Sequence, residues 1–240
     1  MSGHSKWHNI QGRKGKQDAK RSSMFSKFSK AITIAAQRGG GDPETNFVLR
    51  IAIDKSKSVS MPKDNIERAI KKGTGADGSA QIEEVYYEAF GPGGTAVIIK
   101  CLTDNKNRTV ADVKHILTKN GGTMSGNGSV MWMFEQLGVI QFETSKLPAD
   151  KDNFELAIIE AGADDISIDG EQVEIKTKVE NFGKVLNKLK DLGIEADDSA
   201  LRYVAKEEMA IGEATREQII KLFELLEEND DVDDYYTNAG

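Results

Sequence analysis

Cysteine is almost missing from this chain: Cys101 stands alone among 240 residues. One thiol excludes an intrachain disulfide and any zinc site built on cysteines. Long apolar runs are missing too, and no stretch approaches the length needed to cross a bilayer. The first residues lack the apolar segment of a secretory signal, and their early glycines and acid are unlike an organelle presequence. These absences lead to the expectation of a cytoplasmic protein without membrane contact. Histidine is scarce, with three residues, which leaves little for acid–base or metal chemistry. His4 and His8 would share a helix face, yet no Cys or carboxylate partner stands near them. His115 flanks the packed face of a helix, and Cys101, in VIIKCL, reads as a core thiol rather than a nucleophile. GPGGTA has no Gly-Lys-Ser/Thr ending and GGTMSGNGS has no dinucleotide spacing, so both read as turns. No catalytic constellation emerges, and no enzyme activity, cofactor or metal is expected.

What the chain does have is uneven charge. Its net charge is −7, but residues 1–72 hold 16 basic and 6 acidic side chains, while residues 73–240 hold 16 basic and 33 acidic ones. The first part is therefore +10 and the rest −17. A basic third on an acidic protein is a candidate surface for a polyanion, and the remainder would be repelled by phosphate backbones except at local patches. Nucleic acid is the expected partner.

The basic third reads as three helices. From Asp18 to Arg38, the residues Met24, Phe25, Phe28, Ala31, Ile32, Ala35 and Ala36 recur at the spacing of one helix face. Lys16, Lys20, Lys27, Lys30 and Arg38 project to an adjacent side, which leaves one face to pack and another to meet phosphate. Arg21 falls on the apolar side, where it can snorkel. RGGGDPET then stops the helix, and Asp42-Pro43 reads as the N-cap and first residue of a second helix reaching about Lys57. A third helix begins at Pro62 and buries Ile66, Ala69 and Ile70. It carries Lys63 in its first turn and Lys71 and Lys72 in its last, where the lysines also suit the negative end of the dipole. Ahead of the helices, His4, Lys6, Trp7, His8, Arg13 and Lys14 form a glycine-broken arm. Its rings can stack on bases, or Trp7 can plug the helical module, while its cations take phosphate.

Past GTGADGSA the pattern changes to strands. EEVYYEAFGPGGTAVIIKCLTD alternates as two strands around Gly91–Gly94, RTVADVKHILTKNG is an amphipathic helix, and SVMWMFEQLGVIQFE is strand-like. Residues 138–205 then read β-α-β-β-α-β, the ferredoxin-like pattern, with a hairpin at Asp169-Gly170. The earlier ββαβ fragment lacks a last helix and strand. Residues 213–237 supply both, starting with a Thr215-x-x-Gln218 capping box. The expectation is an α+β chain: a small N-terminal helical domain and two α/β domains, the third ferredoxin-like and inserted in a discontinuous second. The boundaries are 1–78 for the basic helical domain, 79–136 with 212–240 for the middle one, and 137–211 for the insertion. The carboxylates at 224–234 read as a solvated acidic face, one that could also discourage non-specific nucleic-acid contact or hold a basic partner.

Several stretches together resemble the YebC/TACO1 family: GHSKWHNI at 3–10, DAKR at 18–21, FSKFSKAITIAAQRGG at 25–40, DPETN at 42–46 and MPKDNIERAIKKGTG at 61–75. YEAFGPGG at 87–94, DNKNRTVADVK at 104–114, GGTMSGNGSVMWMF at 121–134 and ALRYVAKEEMAI near the end extend the likeness over nearly the whole chain. The resemblance implies three domains, the middle one split around the third. It further implies the role of bacterial members, described as cytoplasmic DNA-binding transcriptional regulators. Mitochondrial relatives are translational activators, and bacterial members have also been linked to ribosomes and to translation of proline-rich stretches. The chain departs from the family at Ser22-Ser23, where Gly-Lys is usual, at Ala31, where an acid is common, and at Gln37, where Lys often stands. Two functions therefore remain open: a DNA-binding transcriptional regulator, and a ribosome-associated translation factor holding rRNA or tRNA. A monomer is the preferred state.

Overall fold

The computed structural model describes residues 17–75 and 81–240, with side chains from Ser23 onward. Among the described residues three helices come first: α1 (Gln17–Gly39), α2 (Phe47–Ser58) and α3 (Lys63–Gly73). Their core joins Ile32, Ala35 and Ala36 of α1 to Leu49, Ile53, Met61, Ile66 and Ala69, with Phe25 and Phe28 packed at its edge. Two close approaches fix α1 on α3. The Thr33 hydroxyl donates to the Ala69 carbonyl at 3.1 Å, and a Cβ on Gly73 would lie 2.3 Å from the Thr33 carbonyl oxygen. Glycine is required at position 73 because any side chain would push the helices apart.

The start of α2 differs from the sequence expectation. Asp42-Pro43 does not begin the helix; the Asp42 carboxylate instead accepts the Glu44 N–H at 3.0 Å and closes a turn. Asn46 is the N-cap and accepts from Leu49 N–H at 3.0 Å. Its amide also donates to the carbonyls of Ala35 and Gly40, each at 2.8 Å. One buried side chain thus stops α1 and starts α2, an advantage no Asp-Pro pair can match.

The strands form two four-stranded antiparallel sheets. The first contains β1 (Glu83–Phe90), β2 (Ala96–Thr103), β3 (Thr123–Met124) and β8 (Val232–Thr237), in the order β3-β1-β2-β8. Between β2 and β3 runs α4 (Lys106–Lys119), and α7 (Glu213–Glu227) leads into β8. The central strand, AVIIKCLT, is almost continuously apolar because both of its faces are covered. Val97, Ile99 and Cys101 pack with Val113 and Leu117 of α4 and with Ile219, Leu222, Phe223 and Leu226 of α7. On the opposite side, Leu102 packs with Ile82 and with Ile34 of α1. Helix α1 therefore buries two sides rather than one, and Met24 stays exposed. Two local expectations fail here. SVMWMF supplies no strand to this sheet; its third strand is the two-residue β3. Gly212, not Thr215, caps α7, and Thr215 lies inside the helix.

The second sheet belongs to a compact unit of its own, Phe134–Lys206. Its elements are β4 (Phe134–Glu143), α5 (Lys151–Glu160), β5 (Ala163–Asp169), β6 (Gln172–Lys178), α6 (Phe182–Asp191) and β7 (Asp198–Ala205). The strand order β5-β6-β4-β7 is ferredoxin-like. Phe142 meets Phe154 edge-on at 6.2 Å, and Gly138 admits the Phe182 ring, which would lie 2.4 Å from a Cβ at that position. The fold is α+β: N-terminal helices followed by two antiparallel sheets. Among the described residues, no helix is long and apolar enough to cross a membrane.

Candidate nucleic-acid interface

His4, Lys6, Trp7, His8, Arg13, Lys14 and Lys16 lie outside the described residues, as do the side chains of Lys20 and Arg21. The remaining basic candidates divide into two groups by what they touch.

Lys27 and Lys30 do not face an open phosphate surface as the α1 periodicity suggests. Lys27 Nζ donates to the Glu227 carbonyl at 2.6 Å, at the last turn of α7, where unpaired carbonyls carry the negative end of the helix dipole. Burial lowers the Lys27 pKa, outweighing the pull of Glu227, Asp233 and Asp230 in the other direction. Lys30 Nζ donates to the Asp230 carbonyl at 2.9 Å and pairs with the Asp231 carboxylate at 2.6 Å. Ser23, one turn before Lys27, donates its hydroxyl to Asp230 at 2.5 Å. The physical reason for the difference is long-range: an acidic corner some 200 residues away in the chain is folded against this helix face.

That corner is tied to α4 as well. Asp231 also accepts from the Arg108 guanidinium at 2.8 Å and from the Thr109 hydroxyl at 2.8 Å. Burial alone would raise its pKa, but hydrogen bonds from Lys30, Arg108 and Thr109 outweigh burial and bring it down to about 2. Nearby, β8 bulges opposite Lys100 and Cys101, and the extra residue, Asp233, takes the Lys100 ammonium at 2.7 Å. Burial pulls the Lys100 pKa down, and the charge and hydrogen bond of Asp233, with Glu84, more than reverse this. Arg38 reaches the same cluster through Glu84 at 3.1 Å, although its side chain stays largely exposed.

The second group lies on α3. Arg68, Lys71 and Lys72 occupy i, i+3 and i+4, within roughly a third of the helix circumference and away from buried Ile66 and Ala69. Arg68 and Lys71 are exposed and Lys72 is half-buried; none of the three has an acidic partner among the described residues. Lys63 at the other end of the helix is paired with Glu67 at 3.5 Å. Lys57 of α2 pairs with Asp54 at 3.4 Å, and the Arg50 guanidinium sits 5.2 Å from the Phe47 ring centroid. Arg68 lies outside the basic stripe that the sequence shows on α1. Its spacing from Lys71 and Lys72 was the available signal.

Other candidates are accounted for by local structure. Cys101 is buried, and burial, with the charge of Asp231 and Asp233, pushes its thiol up to about 12; it is not a nucleophile at neutral pH. His115 is exposed on α4. After β3, SGNGSVM is a loop built around buried Glu88, whose carboxylate accepts N–H bonds from Gly128, Val130 and Met131 at 2.6–2.8 Å. Among the described residues, no group of three or more His, Cys, Asp or Glu side chains is placed to hold a metal ion.

Comparison with known proteins agrees over the full length. The chain is 45% identical over 239 residues to a probable transcriptional regulatory protein of Caldanaerobacter subterraneus, covering 100% of this chain and 98% of that protein. It is 48% identical over 240 residues to one from Persephonella marina, covering 99% of this chain and 95% of the relative. A crystal structure of a conserved hypothetical protein from Aquifex aeolicus superposes with a TM-score of 0.85 at 38% identity, over 96% of this chain and 95% of that one. Residues 5–76 match the TACO1/YebC protein N-terminal domain, residues 82–239 match the TACO1/YebC second and third domain, and the chain belongs to the TACO1/YebC family.

Proposed function

We propose that this protein is a non-enzymatic, nucleic-acid-binding regulator that holds phosphate backbones with its basic helical module and acts on DNA to regulate transcription. The observation that carries the reading is the row Arg68, Lys71 and Lys72 on α3. Three cations on one helix face, none of them ion-paired among the described residues, form a ready-made phosphate contact in the part of the chain that carries +10. The strongly acidic remainder supports a restricted contact, because it repels the polyanion elsewhere. The names of the Caldanaerobacter and Persephonella relatives, probable transcriptional regulatory proteins, point the same way.

The arm at 4–16, with Lys20 and Arg21, belongs to the same proposed surface, and Arg38 sits at its margin. The strand order β3-β1-β2-β8 supports treating 79–136 with 212–240 as one discontinuous middle domain around 137–211. The protein acts in the cytoplasm as a monomer in this reading. Crosslinking in cells, followed by parallel sequencing of bound DNA and RNA, tests it. Discrete promoter peaks are expected. Enrichment on rRNA or tRNA without promoter peaks would overturn the transcriptional role in favour of a ribosome-associated translation factor.

A further inference from the structure

We propose that the acidic corner at Glu227–Asp231 is an internal competitor for phosphate: docked, it occupies Lys27 and Lys30 of α1, and a bound nucleic acid displaces it to take those lysines. The proposal rests on the nucleic-acid reading above and adds to the α3 row a second, gated phosphate contact, on α1, that is covered in one state and bare in the other.

Ser23, Lys27 and Lys30 lie at i, i+4 and i+7, so one face of α1 presents a hydroxyl and two ammonium groups side by side. All three act as donors here, and everything they meet is an oxygen bearing full or partial negative charge. These oxygens are the Asp230 and Asp231 carboxylates and the Glu227 and Asp230 carbonyls. A phosphodiester offers acceptors of the same kind, so the corner and a nucleic-acid backbone compete for one set of donors.

Three features make the seam separable. Its apolar part is small among the described residues: Ile34, Ile82 and Leu102 with Ala31 at the edge. The helical core and the sheet core are distinct clusters that share no residue, so the seam runs between them and not through either. Asp231 keeps its bonds from Arg108 and Thr109 after Lys30 leaves, so the carboxylate is not stranded without partners. The bare lysines on their side regain water or gain phosphate.

The test uses the full chain carrying Ser23→Cys and Asp230→Cys, joined through a short thiol-specific linker that a reductant cleaves. Cys101 is buried and stays out of the reaction. Binding to a short DNA duplex and to an RNA hairpin is measured against salt concentration with the link closed and after reduction. With the link closed, affinity is expected to fall roughly tenfold or more, as two charged contacts are withheld. The slope of log affinity against log salt on the duplex should become shallower by about 1.8, for two phosphates no longer neutralised. Reduction should restore both. Equal affinity and equal slope in the two states would overturn the gate while leaving the functional reading standing. Absence of salt-dependent binding to either probe after reduction would overturn the functional reading and the gate with it.

Discussion

Two rows of cations on the same small module have opposite fates. On α1, Lys27 and Lys30 are folded against a carboxylate corner and two carbonyls. On α3, Arg68, Lys71 and Lys72 make no ion pair with any acid among the described residues. The two rows look alike as sequence, since each is a set of basic residues at helical spacing. Their environments make the first an intramolecular fastening and the second an outward surface. Charge pattern alone tells where positive residues are, and tertiary structure decides which of them are spent.

The most disruptive way to break the α1 row is Asp231→Ala. It leaves Lys30 and Arg108 facing an emptied corner and should lower stability by about 3 kcal/mol, read as a urea midpoint. A loss below about 1 kcal/mol would mean that the corner is not holding α1. The milder Asp231→Asn sharpens the point through pH. The carboxyl pKa is about 2 instead of the ordinary 3.8, so the stability it contributes is fully present above about pH 4 and is lost as pH falls towards 2. Acid unfolding of the unmodified chain should therefore be steeper across that window than that of Asp231→Asn.

Asn46→Ala comes next. Removing the N-cap of α2 and the donor to two carbonyls should cost about 2–3 kcal/mol and lower the Tm of the helical module. The α3 row is broken by replacing Arg68, Lys71 and Lys72 with Ala together. Stability should move by no more than about 0.5 kcal/mol, because these residues sit on the solvent side. Affinity for duplex DNA should fall roughly thirtyfold, about 2 kcal/mol, with a salt slope shallower by about 2.7. An unchanged slope would place the contact elsewhere. The smallest effect belongs to Glu67→Gln, which cuts the exposed pair with Lys63 and should change stability by less than about 0.5 kcal/mol in a thermal melt.

Legibility in the sequence followed the range of the interactions involved. The three helices and the strands of the ferredoxin-like unit show in periodicity, because burial on one face imposes a repeat of 3.6 or 2 on the residues themselves. The start of α2 did not show. Asp42-Pro43 is the stronger local signal, and Asn46 wins only because the Ala35 and Gly40 carbonyls of the preceding helix end are within its reach. Strand β3 did not show because two residues are too few to display alternation. At the candidate site, Lys71 and Lys72 were readable as end-of-helix cations, whereas Arg68, in mid-helix beside Glu67, carries no such positional mark. The corner that occupies Lys27 and Lys30 was unreadable in principle: no local pattern in 23–30 refers to residues 227–231.

That separation has a consequence for how the chain is made. Synthesis runs from the N-terminus, and α1 to α3 have a core of their own, so they can close while the roughly 150 residues that lead to the acidic corner are still to be added. Throughout that interval the acids that later cover Lys27 and Lys30, 200 positions downstream, do not yet exist. Until then the helical module, at +10, is held near ribosomal RNA with Lys27 and Lys30 bare, and only the last residues to emerge cover those two lysines.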